Sequence, residues 1–238
     1  MSERASACYN PPMPTIDHYV TPLKLPMSID AFWRFPHLAA YKAEYREGHA
    51  ELTYAPRLSM ARLRIAQREE RNVTEIRIRP LDVAAARDVL AKLFGTAFAH
   101  VPPLDSMPAT TRRHAADAAM KHTASGGDGE LFLPACLAAT DAATHELVGA
   151  AIVCKIGLSA DEWPEPELPA TLVNMTWLFV SPQRQRRQIA SALVDRVVNV
   201  LAAQRVPWLV SHILQDNVPS VMFHWRQRFE LVPAITRG

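Results

Sequence analysis

The chain has 238 residues, 49% of them hydrophobic and 21% charged, a balance that allows a substantial buried core and excludes global disorder. A formal net charge of +2 is too small to imply a nucleic-acid partner. Cys8, Cys136 and Cys154, odd in number and far apart, form neither a disulfide framework nor a CxxC metal site.

The first twenty residues lack the apolar core of a signal peptide, and no run nears the roughly 20 apolar residues of a bilayer span. Expected localisation is therefore cytoplasmic, with no membrane partner. The length fits one domain with or without an appendage, and composition separates a proline-rich extension at 1–72 from a tighter domain at 73–238. The extension carries Pro11, Pro12, Pro14, Pro22, Pro26, Pro36 and Pro56, which favours turns and short strands. Within it, residues 45–54 have the loose alternation of a hairpin turning at Gly48.

From Val73 to Arg79 apolar and polar residues alternate as in a half-buried strand, stopped by Pro80. Asp82 is placed to cap a helix in which Val83, Val89, Leu90, Leu93 and Phe94 recur before Gly95. A second helix is expected over 110–122, ended by the glycine-rich run 125–129. Two strands, 130–139 and 147–156, should form an antiparallel hairpin. The proline-rich and acidic stretch 159–169 reads as an exposed loop. Thr171 to Val180 then carries large apolar groups on both faces, as a central strand does.

Ser181-Pro182 ends that strand. A short basic turn with Arg184, Arg186 and Arg187 follows, and Ile189, Leu193, Val197, Val200 and Leu201 draw a helical stripe up to Ala203. A strand-to-helix junction collects unpaired backbone N–H groups and the positive end of the helix dipole, so it attracts phosphate. Taken by themselves the arginines are equally consistent with a solvated surface turn. Beyond the helix, 208–214 reads as a strand and Asn217 as the cap of a last helix carrying Val221, Met222, Trp225 and Phe229.

The run Val180-Ser181-Pro182-Gln183-Arg184-Gln185-Arg186-Arg187-Gln188-Ile189-Ala190 resembles the acetyl-CoA signature of the GNAT superfamily of N-acetyltransferases. That signature is V-x-P followed by [Q/R]-x-x-G-x-[G/A] and an apolar helix. Asn217 to Phe229 is similar to the closing GNAT motif, N-x-x-A-x-x-x-Y-x-x-x-G-F, with Ser220 at its small position. The resemblance implies an α/β fold with a mixed, mostly antiparallel sheet flanked by helices, beside the proline-rich extension. It implies that backbone amides across Gln185, Arg186, Arg187, Gln188, Ile189, Ala190 and Ser191 hold the CoA pyrophosphate, and that Leu178, Phe179 and Val180 pair with the pantetheine arm. Asn217 is carried over as a further coenzyme contact beside its capping role.

Three positions depart from the pattern. Gln188 replaces a glycine whose freedom lets backbone approach phosphate; its N–H remains usable if its φ is negative. His224 stands where the family tyrosine protonates the departing thiolate, and a histidine can supply that proton near neutral pH. Arg228 replaces the last glycine. His212, Asn174 and Thr176 are candidates to line the cleft, with no general base marked among them. The absence of GxSxG, HExxH and GxxxxGK[ST] argues against the common hydrolase, zinc-protease and P-loop readings.

The activity implied is acyl transfer, acetyl above all, from CoA to a primary amine of a small molecule or protein, with acetyl-CoA as co-substrate and no metal; a homodimer stands open. The rival expectation is a GNAT-like module, for CoA binding or protein interaction, that has lost turnover.

Overall fold

The computed structural model describes residues 23–33, 41–54, 58–101, 104–157, 171–214 and 217–232. The loop expected at 159–169 lies outside them. The elements in order are β1 (Leu23–Pro26), α1 (Ile29–Trp33), β2 (Tyr41–Arg46), β3 (His49–Tyr54), β4 (Leu58–Arg64), β5 (Ile76–Pro80), α2 (Arg87–Ala97) and α3 (Ala109–Ala124). There follow β6 (Glu130–Leu131), β7 (Leu137–Asp141), β8 (Leu147–Gly157), β9 (Thr171–Val180), α4 (Ile189–Ala203), β10 (Trp208–Leu214), α5 (Val218–Arg226) and β11 (Glu230–Val232).

One sheet of three strands has the order β1-β3-β2. Its β2–β3 hairpin turns through Glu47 and Gly48, both at positive φ (49° and 81°), as a tight two-residue turn demands. The main sheet has eight strands, in the order β11-β4-β10-β9-β8-β7-β5 with β6 on β8. Its pairs are antiparallel except β9 with β10, the mixed, mostly antiparallel sheet that the motifs imply.

Two expectations need correction. The boundary at 72/73 cuts through the sheet, because β4 pairs with β10 along its full length and with β11 on its other edge. Ala61 and Leu63 of β4 are buried in the core, so residues 58–64 belong to the main sheet. The strand expected over 130–139 is broken: Pro134 sits in a single 3-10 turn, Leu133–Ala135, between β6 and β7, since a proline has no N–H for the ladder.

Each face of the sheet carries its own apolar cluster. On one, Leu193, Val194, Val197 and Leu201 of α4 pack on Val153, Met175, Leu209 and Ile213. On the other, Leu90 and Phe94 of α2 and Ala116 and Met120 of α3 pack on Ala150, Ile152 and Phe179. Gly95, expected as a helix end, lies inside α2. A Cβ there would come within 3.3 Å of Ala116 Cβ, so the missing side chain lets α2 and α3 approach.

The segment before β5 is clamped onto α4. Asp195, 2% exposed, takes Arg68 Nη1 at 3.5 Å and Arg71 Nη1 at 2.6 Å. Asn199 accepts from the Arg68 N–H and donates to the Arg68 carbonyl, both at 2.9 Å.

Candidate functional site

The site is built where β9 turns into α4. β9 holds β8 along one edge, from Thr171 opposite Gly157 to Val180 opposite Gly149. Its pairing to β10 on the other edge consists of Val173 with Leu209 and Asn174 with Val210. Just beyond, Thr176 is an extra residue, because Ile152 faces Trp177 while Val153 faces Met175. Such a bulge bends its strand and ends regular pairing. Leu178, Phe179 and Val180 therefore run on with β8 on one side and no ladder partner on the other among the described residues. Gly149 permits this packing at the strand end: a Cβ there would lie 3.2 Å from the Phe179 carbonyl and 3.4 Å from Leu193 of α4.

Past Ser181 the chain makes a single 3-10 turn, Pro182–Arg184, and enters α4 through a strained loop. Arg186 and Gln188 both have positive φ, 61° and 63°. A left-handed conformation costs a residue with a Cβ roughly 1–2 kcal/mol, and such strain persists where the surroundings enforce it. The expectation that Gln188 needs a negative φ to offer its N–H is thus corrected: it adopts the left-handed conformation that a glycine takes freely. Gln188 is the N-cap of α4, and its side chain makes no capping bond. Among the described residues, no carbonyl or side chain accepts from the backbone N–H groups of Arg186 to Ser191. Alternating hand with successive free N–H groups makes an anion-binding concavity, at the positive pole of a 15-residue helix.

The three guanidinium groups do not act alike. Arg184 binds the carboxylate of Asp141 and lies 3.8 Å from Glu75. Asp141 is buried and also accepts from the N–H groups of Thr144 and Ala143, which, with Arg184, hold its carboxyl below the usual range. Arg184 is thereby an anchor tying the loop to the β7–β8 turn. Arg187 pairs with Glu75 at 2.9 Å, an exposed contact of little energetic weight that a stronger anion could displace. Arg186 is exposed. Sequence reasoning missed Glu75 and Asp141, since nothing in their spacing marks them as partners of a turn that lies 43 residues from Asp141 and 112 from Glu75.

Ser191 accepts from Gln227 Nε2 at 2.9 Å, which fixes the start of α4 against the end of α5. Asn217 caps α5, its Oδ1 accepting from the Ser220 N–H at 3.2 Å; its side-chain oxygen is spent on the helix.

His224 projects from α5 into the sheet and is 6% exposed. Its Nδ1 lies 2.8 Å from the Ser220 carbonyl and its Nε2 3.1 Å from Ser211 Oγ. A carbonyl can only accept, so Nδ1 carries the proton and Nε2 accepts from the serine hydroxyl. Burial pushes the imidazole below its ordinary pKa, against the opposing pull of the Ser220 carbonyl. The group is a neutral, fully bonded imidazole between α5 and β10, an arrangement that disfavours the proton-donor role. The same face holds Ser211 Oγ 3.3 Å from the Met175 carbonyl, at the point where β9 and β10 part.

On the opposite face Asn174, Thr176, Trp177 and His212 gather. Trp177 Nε1 donates to Thr123 Oγ1 at 2.9 Å, and Thr123 in turn bonds the buried Asp128. The described residues include no group of three or more His, Cys, Asp or Glu side chains that could hold a metal ion. No described helix is long and apolar enough to cross a membrane.

The fold, a mixed and mostly antiparallel sheet flanked by helices, is similar to that of solved GCN5-related N-acetyltransferases. The structure of the Sphaerobacter thermophilus GCN5-related N-acetyltransferase is similar, with a TM-score of 0.51 at 13% identity over 88% of this chain and 55% of that one. The chain thus spans just over half the length of that protein. The GCN5-related N-acetyltransferase of Ralstonia eutropha JMP134 is similar with a TM-score of 0.51 at 15% identity, over 68% of this chain and 97% of that one. At these identities the likeness is one of fold. No protein-family model and no curated protein matches the sequence.

Proposed function

We propose that the protein is an N-acyltransferase that moves an acetyl group directly from acetyl-CoA to a primary amine. The observation that carries this reading is the loop 185–191. Two residues there hold left-handed conformations, and the N–H groups of Arg186 to Ser191 have no acceptor among the described residues. Strain and unmade hydrogen bonds together are costly unless a ligand uses them. A diphosphate answers both, with Arg186 and Arg187 adding charge from the rim.

From that anchor the pantetheine arm runs back along the open edge of Leu178, Phe179 and Val180, taking the place of a strand. The thioester then reaches the bulge at Thr176. Backbone N–H groups of β9 polarise its carbonyl, and the cleft holds a neutral amine against it, so positioning and preorganised donors supply the acceleration. The amine forms the amide bond, the C–S bond breaks, and the proton shed by the amine ends on the thiolate, without His224, which faces away into bonds of its own. His224 then serves as a positioning residue: with Ser211 it fixes the point at which β9 and β10 separate.

The bonded state of His224 also favours a second reading, a module that binds CoA without turnover. Titration calorimetry with acetyl-CoA tests the first step shared by both, and heat with a single-site isotherm is expected. Silence at millimolar ligand would defeat both. Thiol release that depends on an added amine then separates enzyme from module.

A further inference from the structure

Among the described residues three buried side-chain atoms lack a hydrogen-bond partner: Asn174 Oδ1, His212 Nδ1 and Gln227 Oε1. Gln227 lies behind α5, tied to Ser191. The other two lie together. Asn174 is opposite Val210 in the parallel pair, and His212 is two residues further along β10, so both side chains leave the same face of the sheet. Met175, Leu209 and Ile213, on the other face, are covered by the α4 cluster.

Asn174 is 1% exposed. Its Nδ2 donates to Thr176 Oγ1 at 3.1 Å, which leaves Oδ1 as the open atom. An unpaired buried carbonyl costs about 1–3 kcal/mol. Burial pushes His212 down to about 4, so its ring is neutral, and in the tautomer protonated at Nε2 the unpartnered Nδ1 carries the lone pair. Asp128, a buried carboxylate reached through Thr123, is engaged by that hydroxyl and lies 3.6 Å from His122 Nε2.

We propose that Asn174 Oδ1 and His212 Nδ1 are the pair of acceptors that receives the two N–H groups of the acceptor amine, selecting a primary amine uncharged at neutral pH, an aromatic amine above all. This rests on the acyl-transfer reading above. Asn174 stands two residues before the bulge at Thr176, and His212 two residues past the last β9–β10 pair. Two neutral acceptors satisfy an –NH2 group fully, whereas an alkylammonium ion buried against them keeps a charge that neutral acceptors leave uncompensated. In the reaction the nitrogen lone pair forms the bond to the carbonyl carbon, and the C–S bond breaks with its electrons left on sulfur. The proton shed by nitrogen passes to His212 Nδ1 and on to the thiolate, so amide and thiol form without net proton change. The adduct nitrogen of a weakly basic amine is acidic, and a weakly basic imidazole suffices to take its proton.

The test uses the full chain labelled with 15N-histidine, titrated at neutral pH with aniline and, separately, with benzylamine, which is protonated there. The His212 ring signals are identified by their loss in His212→Phe. Aniline is expected to shift them and benzylamine to leave them. Asn174→Leu should weaken aniline binding about fivefold, the size of one neutral hydrogen bond, with acetyl-CoA affinity unchanged and Tm equal or higher, because a buried unpaired atom is removed. A purely structural Asn174 would instead lower Tm and leave aniline binding alone, and that result overturns the proposal. So does a chain that binds acetyl-CoA yet shows no aniline shift, or an equal shift with benzylamine. Aniline moving His212 in a chain that ignores acetyl-CoA would sink the acyl-transfer reading while upholding the amine site.

Discussion

Helix α4 carries two polar clusters built from similar groups, and they behave in opposite ways. On its flank, Arg68 and Arg71 converge on Asp195, and Asn199 closes a reciprocal pair of bonds with the Arg68 backbone. At its start, Arg184 is anchored on Asp141, but the N–H groups of 186–191 find no acceptor among the described residues. A polar cluster whose valences are filled holds the fold together; one whose valences are left open, at a cost in strain, has kept them for a ligand. The two faces around β9 and β10 repeat the contrast: His224 is bonded at both nitrogens, while His212 has one nitrogen without a partner.

The closed cluster is the place to break stability without touching the ligand. Asp195→Ala leaves Arg68 and Arg71 facing each other, and removing one partner of a buried pair costs about 3–5 kcal/mol. Both arginines keep some solvent contact, so a loss of about 3 kcal/mol is expected, read as a lower urea midpoint at unchanged slope. In the molecules that remain folded, acetyl-CoA affinity should be retained. Equal loss of both would erase the distinction between the clusters.

The open cluster predicts a pair of substitutions that agree in stability and part in binding. Gln188→Gly relieves about 1 kcal/mol of left-handed strain, part of it offset by the freer unfolded chain. Gln188→Asp places a good N-cap and a negative charge at the helix start, also stabilising by about 1 kcal/mol. Glycine should tighten acetyl-CoA binding. Aspartate, pressed against a diphosphate, should weaken it about a hundredfold, since like charges brought together cost several kcal/mol. Parallel binding changes in the two variants, measured calorimetrically, would show that the loop does not hold the phosphates.

Much of this was legible in the sequence because it rests on local pattern. The two-faced apolar run at 171–180 and the stripe from Ile189 to Leu201 each fix an element by its own period; the alternation at 73–79 marks β5, which begins only at Ile76 and includes Pro80, the residue expected to stop it. The turn into α4 was legible through Val180, Pro182, Gln185 and Ala190. Its backbone conformation was not, because a glutamine at positive φ runs against local preference and is imposed by the packing around it. β4 was hidden because Arg62 and Arg64 break its apolar character, and only pairing between β10 and β11 makes it a strand. The unpaired atoms of Asn174 and His212 depend on what surrounds them in three dimensions. No spacing along the chain encodes that.

The contrast between the two histidines can be sharpened with acid. Burial lowers both below the ordinary imidazole pKa, His212 to about 4. In the unfolded chain each takes up a proton near pH 6.5, while the folded protein resists it. The unfolded state therefore binds more protons as pH falls below 6.5, and stability drops until the folded pKa is reached. For His212 that window runs from about 6.5 to about 4, with a loss of about 1–2 kcal/mol by pH 5. Denaturant titrations at pH 7 and pH 5 should show that loss, and His212→Phe should remove His212's share while leaving that of His224. If the loss instead vanished with His224→Phe and persisted in His212→Phe, the bonded histidine would be the one that resists protonation, and the open lone pair assigned to His212 would already carry a proton.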